Sequence, residues 1–297
     1  MNKRRGRFAA LILFICAALI IICYAAGLWI RFFRERGNEL PEDATGMEII
    51  FLDVGEGDAI LVTSDGESML VDGGLPEYSD LMYTVLKDRE LDHLRYVVCT
   101  HPHSDHVGGL AGALRYATVD EAFCCTAEYD SRSFGSFLKA LENQGVKLQI
   151  PEAGRQLQLG AAVITVISPS RDYEELNDDS LVIRIDYGRT SVLLTADAGY
   201  QAELDMMDSD YPLRADILKV GHHGSGSSSY YYFLDAVEPQ YAVISVGRDN
   251  ENGHPSQKVL EKLEKLGANI FRTDTDGDIT FVSDGNAFTV KEENSEE

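Results

Sequence analysis

The run Thr-His-Pro-His-Ser-Asp-His-Val-Gly-Gly, residues 100–109, gathers three imidazoles and a carboxylate into six positions: His101, His103, Asp105 and His106. Nitrogen and oxygen donors at this density suit Zn2+, with Mn2+ or iron as alternatives. The run follows an apolar stretch and precedes a helical one, which puts it on a loop at a strand's C-terminal end. In extended chain alternate side chains share a face, so His101, His103 and Asp105 are expected on one side. Pro102 favours extended geometry at His101. Asp105 and His106, adjacent at the turn into the helix, can then diverge toward a second cation, and Gly108 and Gly109 let the backbone pass close by. The chemistry implied is hydrolysis at two metals. A metal-bound hydroxide attacks a phosphorus or carbonyl centre, the cations lower the water's pKa and stabilise charge, and Asp105 orients the nucleophile. The competing reading is a solvated loop that happens to be rich in histidine.

Three further clusters fall where the other half of such a site would need them. Leu193 to Asp197 is an apolar strand ending in a carboxylate suited to bridge two cations, or simply to cap a helix. Lys219 to Ser225 sets His222 and His223 at the end of another apolar strand. Asn252-Gly253-His254-Pro255 precedes a helix that starts at Ser256. Six of the seven histidines thus follow predicted strands, and His93 reads as a surface residue.

The elements that must position these loops are legible as alternating patterns. Strands are expected at 48–54, 58–63, 69–72, 96–100, 121–126, 162–167, 180–187, 191–196, 217–220, 241–246 and 279–282. Helices are expected at 79–89, 108–116, 131–144, 230–236 and 256–266. Two successive blocks of strands followed by helices indicate an α/β protein.

A formal charge of −23, from 26 basic and 49 acidic residues, argues against a broad electrostatic grip on nucleic acid. It leaves room for a locally positive cleft made by bound cations. Cys16, Cys23, Cys99, Cys124 and Cys125 form no C-x-x-C pair, so neither a zinc ribbon nor a redox motif is supported. Residues 8–30 are apolar throughout, long enough for a membrane span and longer than a signal-peptide core. Basic residues before the run favour a cytoplasmic N-terminus. The expected division is therefore a membrane anchor with basic flanks at 1–36, a linker at 37–47, a hydrolase domain at 48–291 and an acidic tail at 292–297. A single-pass membrane protein with its domain outside the cytoplasm is expected, with secretion after cleavage near residues 25–27 as the alternative.

The runs FLDVGEGDAIL (51–61), LVDGG (70–74), THPHSDHVGGL (100–110), NDDSLVIRIDYG (177–188), LLTAD (193–197), LKVGHHGS (218–225), NGHP (252–255) and RTDTDGDI (272–279) occur in this order. Together they resemble the metallo-β-lactamase superfamily, and within it the hydrolase domain of ComEC-type DNA-internalisation competence proteins. The resemblance implies a four-layer αββα sandwich and two divalent metal ions, Zn2+ or Mn2+, with no dinucleotide cofactor. It further implies that His101 and His103 bind the first metal, that Asp105 and His106 bind the second, and that Asp197 bridges them. One of His222 and His223 would complete the second site, and the other would contact or protonate a substrate phosphate. Asp72 would orient a ligand histidine, and His254 and Ser225 would stand near substrate. Many members of the superfamily supply a third histidine to the first metal from the region before the bridging carboxylate. Here that region offers Asn177, Asp178, Asp179 and Ser180, which leaves the first site poorer in ligands, with Asn177 or Ser180 acting through water. The implied activity is that of a phosphodiesterase or nuclease. A β-lactam, lactone or cell-envelope phosphocholine ester hydrolase and a non-catalytic binding module are the alternatives.

Overall fold

The computed structural model describes residues 40–291 apart from Glu42 and Asp249. The first half of the described chain holds strands β1 (Met47–Phe51), β2 (Ile60–Ser64), β3 (Glu67–Val71), β4 (His93–Cys99), β5 (Thr118–Cys124) and β6 (Leu148–Gln149). The second half holds β7 (Gln156–Leu159), β8 (Ala162–Ser168), β9 (Val182–Tyr187), β10 (Thr190–Leu194), β11 (Ile217–Lys219), β12 (Tyr241–Ile244), β13 (Asn269–Arg272), β14 (Ile279–Ser283) and β15 (Phe288–Lys291). Helices α1 (Ser79–Asp88), α2 (Ser104–Val107), α3 (Leu110–Ala113) and α4 (Arg132–Gln144) accompany the first half. Helices α5 (Tyr200–Asp208), α6 (Tyr231–Val237), α7 (Gln257–Leu266) and α8 (Thr273–Asp276) accompany the second.

The strands form two sheets, ordered β15-β14-β1-β2-β3-β4-β5-β6 and β13-β12-β11-β10-β9-β8-β7. Alternation within single strands explains why the sheets stack. Ile49 and Phe51 of β1 point into a core shared with Ile164, Ile185 and Tyr187 of the other sheet, whereas Ile50 points the opposite way. On that outer face Ile50, Leu61 and Val97 meet Met82 and Leu86 of α1 and Phe134 and Phe137 of α4. The second sheet buries Val182, Leu193 and Leu218 beneath Met206 of α5, Leu234 of α6 and Val259 of α7. Two sheets with apolar residues on both faces need helices outside each, and the αββα sandwich is the result.

Helix α4 illustrates how local chemistry sets an element. Ser131 caps it by accepting a hydrogen bond from the Phe134 amide at 3.2 Å. Phe134, Phe137 and Leu141 form its buried stripe, and Gly145 ends it in the left-handed conformation at φ 73°.

The transmembrane helix expected ahead of the sandwich is corrected here. Among the described residues no helix is long and apolar enough to cross a membrane. A span requires about 20 apolar residues, and α4, an amphipathic surface helix, has 13. The run 8–30 that prompted the expectation lies outside the described residues, as do 1–39 generally and the tail 292–297. The same finding overturns the expected membrane partner, the single-pass location and the transmembrane part of the fold class. At the expected linker, Leu40 and Ala44 pack against the inter-sheet core.

Candidate metal centre

Parallel pairing gathers the candidate loops on one edge. Strands β10, β11 and β12 run parallel, with Leu194 level with Lys219 and Lys219 level with Val243. The residues just past their ends, Asp197, His222, His223 and Ser245, therefore emerge side by side. Strand β4 ends at Cys99 on the other sheet and delivers Thr100 to His106 to the same edge.

The alternation expected for that loop holds only as far as His103. His103 is extended (ψ 149°) and the chain turns helical at Ser104, so Asp105 and His106 lie in the first turn of α2. His101 and His103 stay together, Nε2 to Nδ1 at 2.9 Å. Asp105 is turned away from them: its Oδ2 lies 3.4 Å from His223 Nε2 and 3.7 Å from His106 Nε2. Gly57 (φ 116°) permits this packing. A β-carbon there would stand 2.1 Å from the Asp105 carbonyl oxygen, which accepts a hydrogen bond from the Asp58 amide.

Asp197, 2% exposed, presents its two oxygens to two different sets of histidines. Oδ1 lies 3.4 Å from Nε2 of both His106 and His223. Oδ2 lies 3.7 Å from His222 Nε2 and 3.9 Å from His101 Nε2. Asp105, His106, Asp197 and His223 form one group able to hold a metal ion. Three of its buried atoms, His106 Nε2, His223 Nε2 and Asp197 Oδ1, have no hydrogen-bond partner. Unpartnered buried polar atoms are costly unless something else satisfies them. Donors about 2.0–2.1 Å from a tetrahedral zinc stand about 3.4 Å apart, so the group fits a cation of that kind.

Both histidines of the group are held by their other nitrogen. His106 Nδ1 donates to Asp72 Oδ2 at 2.9 Å, and His223 Nδ1 donates to the Ser245 carbonyl at 3.0 Å. Each ring is thereby fixed with Nε2 free to face a cation. Asp72, fully buried, also accepts from the Thr100 amide and hydroxyl at 2.8 and 2.7 Å. Asp58, Asp72 and His106 make a second group able to hold an ion. There, however, a cation is already built in: Lys219 Nζ lies 2.8 Å from Asp58 Oδ2, both side chains being inaccessible.

The electrostatics follow from burying these charges together. Burial disfavours charge on His106 and His223, yet Asp197 and Asp105 beside them hold both above the ordinary imidazole range. Burial pushes the Asp197 carboxyl up, but His223, His106 and His101 more than offset it and leave it well below its usual range. Burial and the neighbouring His106 hold His101 well below the imidazole range. The pocket thus favours positive charge where the unpartnered atoms converge.

His222 and His223 are separated by the backbone. Both adopt left-handed conformations, at φ 49° and 53°, which non-glycine residues rarely do. This turn sends His223 inward and leaves His222 partly exposed, its Nδ1 against Ser227 Oγ at 3.1 Å. Asn177 Nδ2 lies 3.4 Å from His222 Nε2, and Ser180 Oγ lies 3.4 Å from His101 Nδ1. Ser225 stands one step back, on Ser227 Oγ at 2.9 Å. His254 packs edge-on against His222, with ring centroids 5.7 Å apart. His93 lies apart, paired with Asp120 on the surface.

Three contributors escaped the sequence reading. Asp58 and Lys219 lie behind His223, and Tyr129 stands edge-on to His103 at 6.1 Å. A lysine closing an otherwise apolar parallel strand was the one available signal for Lys219.

A sequence model of the metallo-beta-lactamase superfamily matches residues 52–248. ComE operon protein 3 of Bacillus subtilis is 28% identical over 253 residues, covering 79% of this chain and 33% of that protein. Recombination protein 2 of Haemophilus influenzae is 29% identical over 236 residues, covering 77% and 28%. The chain thus spans about a third of the length of these curated relatives. Among solved structures, the metallo-beta-lactamase fold protein YhfI of Bacillus subtilis superposes with a TM-score of 0.54 at 16% identity, covering 80% of this chain and 100% of that one. CmlA, a diiron beta-hydroxylase of Streptomyces venezuelae, superposes with a TM-score of 0.51 at 16% identity, covering 78% and 53%.

Proposed function

The chain belongs to the metallo-beta-lactamase superfamily and is a metal-dependent hydrolase of that fold; from this premise we propose that it is a two-metal phosphodiesterase acting on nucleic acid. The observation that carries the reading is the divided face of Asp197, Oδ1 toward His106 and His223, Oδ2 toward His101 and His222. On this reading His101, His103 and Asp197 hold one cation, and Asp105, His106, Asp197 and His223 hold the other. Bound cations of this kind lower the pKa of water and neutralise charge gathering on a phosphoryl group.

The protein's own groups do the rest. Asp105, whose side chain is a quarter exposed, faces the open side of the site and orients the attacking water. His222 also faces that side and contacts a phosphoryl oxygen, held in place by Ser227 and by the edge of His254. Asp72 and the Ser245 carbonyl keep the ligand imidazoles in register. Ser180 stands by His101 and Asn177 by His222, and their segment supplies no third histidine. The recombination name of the Haemophilus influenzae relative supports a nucleic-acid substrate.

The test is hydrolysis by the full-length protein of bis-p-nitrophenyl phosphate, single-stranded DNA and nitrocefin, with and without chelator, alongside metal analysis. Chelator-sensitive cleavage of both phosphodiesters is expected, with about two metal equivalents. Turnover of nitrocefin in preference to either diester would overturn the substrate class. Loss of no activity on full metal removal would overturn the mechanism.

A further inference from the structure

An aromatic ladder begins three residues beyond Asp197. Tyr200, at the start of α5, meets Tyr230 edge-on at 5.0 Å between centroids, and Tyr230 meets Tyr232 at 5.3 Å. Tyr200 is 44% exposed and Tyr232 59%, so the ladder spends apolar area on solvent where α5 and α6 could have carried polar residues. Folded chains seldom leave such rings in a connected row without use.

The ladder is anchored from inside. Glu203, 1% exposed, accepts the backbone amides of Ser229 and Tyr230, locking the start of α6 onto α5. The same loop touches the candidate metal centre, through Ser227 Oγ on His222 Nδ1 at 3.1 Å. The loop that leads into Tyr230 therefore also borders the place where a scissile phosphate would lie. Two cations flank it: Lys262 Nζ donates to the Ser229 carbonyl at 2.8 Å, and Lys265 Nζ lies 4.7 Å above the ring of Tyr231.

We propose that Tyr200, Tyr230 and Tyr232 form a stacking platform for the unpaired bases of a single-stranded nucleic acid whose scissile phosphate sits at the metal centre. The inference rests on the phosphodiesterase reading and names the form of its substrate. Exposed aromatic rings beside a few cations hold single strands in a sequence-tolerant way, because every base offers a π face. Stacking of this kind also suits a protein whose net charge of −23 denies it a broad basic surface.

The test separates binding from turnover. In EDTA, fluorescence anisotropy of a fluorescein-labelled hexathymidylate is followed with the full-length protein. A Tyr200→Ala/Tyr232→Ala double variant, shown by its melting curve to be folded, is expected to bind at least tenfold more weakly. The Tyr200→Trp/Tyr232→Trp variant is expected to restore binding. With metal restored, the alanine variant should raise KM for the oligonucleotide at least tenfold while kcat changes less than threefold. Metal-dependent DNA cleavage with equal binding by wild type and the alanine variant would overturn the platform and leave the phosphodiesterase standing. Absence of any DNA cleavage by the wild type, with bis-p-nitrophenyl phosphate still hydrolysed, would overturn both the platform and the nucleic-acid substrate. Tyrosine-dependent binding of a neutral chito-oligosaccharide in place of the hexathymidylate would also overturn the platform as proposed.

Discussion

Lys219 and Asp58 form an ion pair closed off from solvent, Nζ to Oδ2 at 2.8 Å with side-chain exposures of 0% and 1%. The lysine ends β11 and the carboxylate lies just ahead of β2, so the pair joins the two sheets directly behind His223, whose Nδ1 is 3.5 Å from Asp58 Oδ1. Removing one partner strands the other as a buried, uncompensated charge. Lys219→Met is expected to cost about 3–5 kcal/mol of unfolding free energy. Asp58→Asn/Lys219→Met should be less destabilised than the two single changes added together, because neither charge is then left alone. Urea unfolding of the four proteins measures this; a single Lys219→Met variant within about 1 kcal/mol of wild type would show that the pair does not carry the load assigned to it.

Asp72 orients His106 by accepting its Nδ1 proton. Asp72→Asn puts an amide where a carboxylate accepts three hydrogen bonds, so the imidazole loses both its orientation and part of its basicity. Metal affinity is expected to fall about 10–100-fold. Competition against a chromophoric chelator reads this directly. An unchanged affinity would assign Asp72 to folding alone.

The two neighbouring histidines are expected to fail differently. His223→Gln removes an unpartnered buried nitrogen from the four-donor group and should lower bound metal toward one equivalent. His222→Gln should keep the metal content and lower kcat about 100–1,000-fold, as loss of one group stabilising transition-state charge does. Metal analysis and kinetics on both variants separate the roles. Loss of a metal equivalent in His222→Gln would make it a ligand to the first cation. Asp105→Ala should abolish hydrolysis with the fold intact, and full activity in the metal-replete variant would sink the proposed site.

Glu203 predicts a pH dependence of stability. Burial raises its carboxyl from an ordinary 4.5 to about 7, against the pull of the Tyr230 and Ser229 amides. The folded state therefore holds this proton more tightly than the unfolded chain. The stabilisation is complete below pH about 4.5 and is lost as pH rises through about 7, up to about 3 kcal/mol in all. Urea unfolding between pH 4.5 and 8 should show wild type losing stability across that window relative to Glu203→Gln. At the acid end the two proteins should differ by less than about 1 kcal/mol, since a protonated carboxyl and an amide each present one carbonyl acceptor to the two backbone donors. Parallel pH profiles for the two proteins would exclude Glu203 as the source.

Most strands and the larger helices were legible because they carry strong local patterns. Helix α4 is one case, with its serine cap, its Phe134, Phe137 and Leu141 stripe and its terminal glycine. Helix α5 was not anticipated: its buried positions are Ala202, Glu203 and Met206, a carboxylate among them, so no clean apolar stripe marks it. The short strands β7, β13 and β15 were missed for a related reason. Each lies at or beside the end of a sheet, and pairing with a neighbour, not an apolar run of its own, defines it. The expected transmembrane helix falls on residues that lie outside the described part, and no described helix meets the requirement.

The sequence by itself determined that histidines and carboxylates would follow strands, since donor type, spacing and hydrophobic pattern are local properties of the chain. His101, His103, His106 and Asp197 could be singled out on that basis. Asp105 was expected to turn toward a second cation with His106, and the tertiary structure supplies the means, one helical turn at Ser104 that overrides the extended alternation. It also divided His222 from His223, through two left-handed residues whose strain no propensity announces. The Lys219–Asp58 pair needed the structure as well, because its partners are distant in the chain and meet only once the two sheets pack and exclude water from between them.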